Sequence, residues 1–290
     1  MKIFITKILS FFLILFVINY CIYLKSRYSW GNKIIDQKIE YVSSLNDKPY
    51  KSFFWGSSKT YRHINPIIFD SIAHTTSFNM GYAGCYWFET SYLMDNFIEA
   101  YDTSNISNIF LQQIYPTPIS KRNLHSRQVK YFMDNKRLSM AYDFYLPRKK
   151  YKQLYYHLLM YVENHLNIGL LKGRLISIFK DREMLSNKII KQKGFYTLEE
   201  EVKETKSAYL RGRANKFKVN QKIKVIPKNK NPLLRKINNK YITKIGINFI
   251  HIIPGQMGTE MYFDTGHYND KGAAAFSLEI AQIFNKKNIK

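Results

Sequence analysis

Short apolar runs that stop at turns, alternating with stretches of helical spacing, predict an α/β protein with a parallel sheet and helices on its faces. A membrane helix precedes this sheet domain and a basic helical insertion interrupts it. Three observations carry the expectation. Ser52–Trp55, Thr76–Met80 and Asn108–Ile114 are apolar runs halted by turn residues, and helical spacing fills the gaps between them. The same alternation returns towards the C-terminus, from Ile245 to Ile253 and then from Asn269 onward. The 290 residues are 46% apolar and 23% charged, a globular balance on a chain long enough to bury a large core.

The first 26 residues form the expected anchor. Lys2 and Lys7 precede an uncharged run from Ile8 to Leu24, which Lys25 and Arg27 close. With Ile3–Thr6 that run is long enough to cross a bilayer as a helix. A cleaved signal peptide needs small residues at its end, and Tyr20-Cys21-Ile22-Tyr23 is bulky, which favours an uncleaved single span. Residues 27–50 read as a stalk, and 51–145 as the first half of the sheet domain. In that half, Asn65-Pro66 opens a helix by capping it and fixing its first turn. Trp87–Ala100 repeats apolar residues at helical spacing.

Residues 146–231 read as the insertion. Tyr151–Leu166 has Leu154, Leu158, Tyr161, Val162 and Leu166 along one side, a stripe expected to be core, a lid or a membrane-surface face. Thr197-Leu198-Glu199-Glu200 is a capping box. Residues 232–290 form the second half: a helix from Pro232, the strand ending at Ile253, and a final helix capped by Asn269. The inner face of that helix is built from Ala274, Leu278, Ala281 and Ile283.

The net charge is +24, and about half of the Lys and Arg residues fall in the insertion. Such an excess draws anionic partners. No nucleic-acid recognition motif accompanies it, so nucleic acid is not expected as a partner, and an anionic envelope polymer is. Cys21 lies in the apolar span, so a disulfide to Cys85 is not expected, and Cys85 reads as a buried small side chain. Neither has a metal-ligand partner at short spacing, and no cofactor or metal is expected.

In a parallel sheet, ligands collect outside the carboxyl ends of the strands. Gly56-Ser57-Ser58 follows the first strand, Gly81 follows the second, and Asp264 and His267 lie on the loop before the last helix. Those are the residue types that acyl transfer needs. A serine hydroxyl becomes a nucleophile when an imidazole takes its proton, and a carboxylate fixes that imidazole's tautomer. The i, i+3 spacing of Asp264 and His267 lets the carboxylate reach the ring nitrogen facing away from the serine. The amides of Ser58 and Gly81 can face the developing oxyanion, with glycine at 81 allowing a sharp turn. Arg62 is the candidate for binding a substrate anion.

At these residues the chain resembles the SGNH (GDSL) hydrolase family, in its cell-surface branch with a Gly-Ser-Ser first block. FFWGSSKT is similar to the first block, SFNMG to the second, and DTGH before NDKGA to the last. The resemblance spans about Ser52–Gln113 and Lys244–Phe284. It implies a three-layer α/β/α fold with a flavodoxin-like parallel sheet, Ser58 as nucleophile, His267 and Asp264 as its partners, and Gly81 as an oxyanion donor. It implies an esterase or O-acyltransferase on ester groups of a cell-envelope polysaccharide or related polymer, with the domain outside the cytoplasm. Ser57 stands where the family usually has Asp. The Gly-x-Asn-Asp third block is absent, leaving Gln112 or Gln113 as the amide side chain for a further oxyanion donor; Gln113 is the candidate. The alternative is a catalytically inactive module of the same fold that binds an anionic polymer.

Overall fold

The computed structural model describes residues 1–26, 33–84, 87–101, 103–112, 133–179, 185–196, 224–226, 248–253, 259–264 and 266–286. The chain divides into two compact units, one of residues 37–117 and 185–290, the other of residues 1–36 and 118–184.

The first unit is α/β. Its strands are β1 (Ser52–Trp55), β2 (Ser77–Asn79), β3 (Asn108–Gln112), β4 (Lys224–Ile226) and β5 (Asn248–Ile253), in the order β2-β1-β3-β5-β4. All pairings are parallel except β4 against β5. The register sets Trp55 beside Leu111 and Leu111 beside His251, so the parallel strands end at one edge. Strand side chains alternate between faces. Phe54 points to one face, where it meets Phe69 of α4 (Pro66–Ala73) and joins Ile280 and Phe284 of α10 (Asp270–Lys286) in the buried cluster. Phe53 and Trp55 point to the other, against Phe97 of α5 (Trp87–Ala100). Truncating any of these rings to alanine costs about 3–5 kcal/mol.

Several expectations shift. The expected stalk contains α2 (Lys33–Ser44), whose Lys38 and Val42 are fully buried. In α10 the inner face is Ala273, Phe276, Ile280, Ala281 and Phe284; Ala281 lies where it was expected, whereas Leu278 is exposed and Ala274 and Ile283 are only partly buried. Two stripes of nearly equal apolarity were available, and the helix turns in the one holding both phenylalanines. Asn269 caps it as expected, its Oδ1 accepting from Gly272 N at 3.0 Å. The expected insertion also gives pieces to the sheet unit: β4, α9 (Asn187–Lys191) and the segment up to Tyr196. Residues 197–223 with their capping box, the helix from Pro232 and Cys85 lie outside the described residues.

The second unit holds α1 (Lys2–Ser26), α6 (Asn135–Tyr145), α7 (Tyr151–His165) and α8 (Leu171–Phe179). Helix α1 is long and apolar enough to cross a membrane, and its apolar residues are exposed apart from the half-buried Ile22 and the buried Tyr23 near its end. In α7 the stripe read from sequence faces outward in part: Leu158, Val162 and Leu166 are exposed, while Tyr156, His157, Met160 and Asn164 are the buried side chains.

Candidate active site

Strand β1 delivers Gly56, Ser57 and Ser58 to the carboxyl edge of the sheet, where α3 (Ser58–His63) begins at once. A side chain at 56 has no room: a Cβ there would lie 2.1 Å from Thr60 Oγ1 and 2.7 Å from Gln112 Cβ. Ser57 caps α3, its Oγ accepting from Lys59 N at 3.4 Å. The position where the resembled family usually carries Asp thus has a capping role here.

Ser58 Oγ lies 2.9 Å from His267 Nε2. His267 Nδ1 lies 2.9 Å from Asp264 Oδ2 and 3.0 Å from Oδ1. A carboxylate only accepts, so Nδ1 carries the ring proton and Nε2 is free to accept from the serine. The loop is held from within. Asp264 Oδ1 accepts from the amides of Gly266 and His267 at 2.7 and 2.9 Å, and Phe263 N donates to His267 O at 2.9 Å. Burial works to raise the Asp264 carboxyl, but its bonds from the His267 ring and the Gly266 amide outweigh that and hold it below the ordinary carboxylate range. His267 and Asp264 keep 24% and 33% of their side-chain surface, so a substrate can reach the pair.

Gln112, at the end of β3, organises the loop that carries Ser57 and Ser58. Its Oε1 accepts from Ser57 N (3.1 Å), Ser57 Oγ (2.9 Å), Thr60 N (3.3 Å) and Thr60 Oγ1 (2.9 Å). Two of those donors are backbone amides, which cannot accept, so the amide orientation is fixed and Nε2 must point away from them. Neither Nε2 nor the amide of Ser58 has a hydrogen-bond partner among the described residues. Gln113 lies outside the described residues.

Gly81 is placed differently from its expected role. Its N–H donates to Asn79 Oδ1 at 2.9 Å, so it is not free to meet an oxyanion. Glycine is required there by close approach rather than by a left-handed turn: a Cβ would lie 2.5 Å from Tyr61 N. Asn79 takes the amide because Asn readily closes a turn two residues on. Its Nδ2 donates to Thr60 O and Ile64 O, both at 2.8 Å, and so clamps α3 to the end of β2.

Three supporting residues carried little or no functional signal. Lys38 Nζ is fully buried and donates to Asn79 O at 2.8 Å and Gly81 O at 2.6 Å, beneath the Tyr61 ring. Burial pushes its pKa well below the ordinary lysine value. No pattern in the sequence distinguishes it from a surface lysine. His63 closes α3. Its Nε2 accepts from Tyr268 N at 3.1 Å, and its ring stacks on Tyr268 at 4.1 Å and lies 6.0 Å from the His267 ring. Asn79 had a readable signal, an Asn-x-Gly directly after an apolar strand.

Arg62 sits one helical turn beyond Ser58. It is partly buried, its guanidinium lies 5.8 Å from the Tyr196 ring centroid, and no carboxylate pairs with it among the described residues. Comparison with family models, curated proteins and solved structures finds no match to this chain.

Proposed function

We propose that this protein is a membrane-anchored serine esterase or O-acyltransferase, SGNH-like in its first, second and last blocks. In this reading its domain lies outside the cytoplasm and acts on ester groups of a cell-envelope polysaccharide or related polymer. The observation that carries the reading is the run Asp264–His267–Ser58, two hydrogen bonds of 2.9 Å, the second joining residues 209 positions apart. The strand order, with β3 on the far side of β1 from β2 and helices packed on both faces, supports a three-layer flavodoxin-like arrangement. The serine then sits at the switch point of the sheet.

The chemistry follows from the geometry. His267 Nε2 takes the Ser58 proton as Oγ attacks the ester carbonyl. The imidazolium is stabilised by Asp264, whose carboxyl stays ionised because its pKa is held down. The Ser58 amide and Gln112 Nε2 are the donors available for the oxyanion, and Gly81 is assigned no part. His267 returns the proton to the leaving alkoxide, leaving an acyl-enzyme that water or a sugar hydroxyl resolves. Arg62 is suited to an anionic group on the polymer.

A fluorophosphonate probe tests this. The wild-type chain should be labelled on Ser58, and labelling should vanish in Ser58→Ala and drop at least about 10³-fold in rate in His267→Ala. A folded wild-type chain that takes no label is instead an inactive polymer-binding module, the reading that the engaged Gly81 amide favours.

A further inference from the structure

We infer that the α7–α8 hairpin is embedded in the bilayer beside α1, its outward apolar face covered by lipid acyl chains. The inference rests on α1 being a retained membrane span and is independent of the catalytic reading.

The hairpin turns an apolar face outward, while its buried side chains are mixed: Tyr156, His157, Met160 and Asn164 in α7 and Arg174 in α8. Tyr151, Tyr155, Leu158, Val162 and Leu166 form an exposed stripe at helical spacing. The stripe continues through Ile168 into Leu171, Leu175, Ile176 and Phe179 of α8, with Phe179 87% exposed. A contiguous apolar surface of this extent marks an interaction site rather than ordinary exposure.

The position of the hairpin says what covers it. Asn167, in the turn between α7 and α8, donates through Nδ2 to Asn19 Oδ1 at 2.7 Å and Asn19 O at 2.8 Å. Asn19 Nδ2 donates to His165 O at 3.4 Å. The buried Arg174 joins Tyr23 O at 3.4 Å and Asn164 Oδ1 at 2.5 Å. The turn is therefore tied to α1 at Asn19, seven residues before the helix ends at Ser26, which is about 10 Å along its axis. The hydrocarbon core is about 30 Å thick, so a turn fixed at that depth cannot remain in bulk water if α1 spans it. An apolar groove of about 730 Å³ runs along α1 from Leu9 to Ile22 and ends against Leu166 and Leu171. Its shape and chemistry match acyl chains lying along the span.

The polar atoms fit the same placement. An asparagine within an apolar span must find partners, and Asn19 has them in Asn167 and His165. Lys149, Lys150 and Lys152 are exposed where α7 begins, suited to anionic headgroups.

The test uses the full chain reconstituted in liposomes of phosphatidylcholine carrying a photoactivatable diazirine on one acyl chain, with adducts mapped by mass spectrometry. Adducts are expected in α1 and across residues 166–179. In the double variant Ile176→Glu, Phe179→Glu the hairpin adducts should fall at least about fivefold while those in α1 persist, because carboxylates are expelled from acyl chains. Labelling of α1 with none on the hairpin overturns the inference. An unlabelled α1 overturns the span itself, and the inference with it.

Discussion

Gln112 holds the Ser57–Ser58 loop through one oxygen and leaves its nitrogen as the donor that the proposed oxyanion site uses. The two tasks separate by substitution. In Gln112→Glu the carboxylate still accepts from Ser57 and Thr60, so the loop keeps its shape, but the Nε2 donor is gone and a negative charge replaces it. We expect the melting temperature to hold within a few degrees while kcat for an activated acetyl ester falls about 10²- to 10³-fold, the cost of one oxyanion donor. Unchanged kcat would remove Gln112 from the oxyanion site. Ser58, Asp264 and His267 were legible in the sequence because each sits beside a turn at a predictable sheet edge. The oxyanion role of Gly81 came from its place after the second strand and from the resemblance, whereas the Asn-x-Gly spacing at the end of β2 already offers a competing acceptor in Asn79 Oδ1.

Helix α3 is a six-residue element fixed at both ends, by Gln112 and Ser57 at its start and by Asn79 and His63 at its close. His63 gives this joint a pH dependence. Tyr268 N–H can only donate, so Nε2 is unprotonated and the ring is neutral. Burial, with His267 and nearby Lys59 and Arg62, pushes its pKa well below the ordinary value. The unfolded chain takes up a proton near pH 6.5 and the native chain does not, so stability falls as pH drops below that value. Between pH 7.5 and 5.5 the wild type should lose about 1 kcal/mol more than His63→Phe, measured as urea-unfolding free energies. At pH 7.5 the variant should itself be weaker by about 1–3 kcal/mol, because the Tyr268 amide loses its acceptor. Equal acid slopes in the two proteins would mean His63 is not a buried neutral base. Most long elements were legible: β1 and α5 fall where the apolar pattern put them, since a buried strand between turns and a long helical period leave little choice. Helices α2 and α3 were not, because one is mixed in charge and the other too short to show a period.

The +24 charge belongs to the whole molecule, and its distribution follows the chain's division only loosely. Sequence composition placed the basic insertion at 146–231, whereas the compact unit outside the sheet takes in 118–184 together with the N-terminal helix. Charge runs mark exposed segments, not the contacts that define a unit, so the boundary had to come from packing. What charge does predict is a response to salt. If the polymer partner is polyanionic, its attraction to clustered lysines and arginines acts over a distance of about 10 Å at 0.1 M salt and about 3 Å at 1 M. Binding of the Ser58→Ala chain to a polyglycerol phosphate, followed by equilibrium sedimentation, should therefore weaken at least about tenfold between 0.05 and 0.5 M sodium chloride. A neutral glucan of equal length should show no such change. The serine variant matters here because it removes the proposed nucleophile while leaving charge untouched, so affinity is read apart from chemistry. Salt-independent binding to the anionic polymer would mean that the excess charge meets something other than this class of partner, and the assignment of an anionic acceptor would fall while the catalytic reading stood.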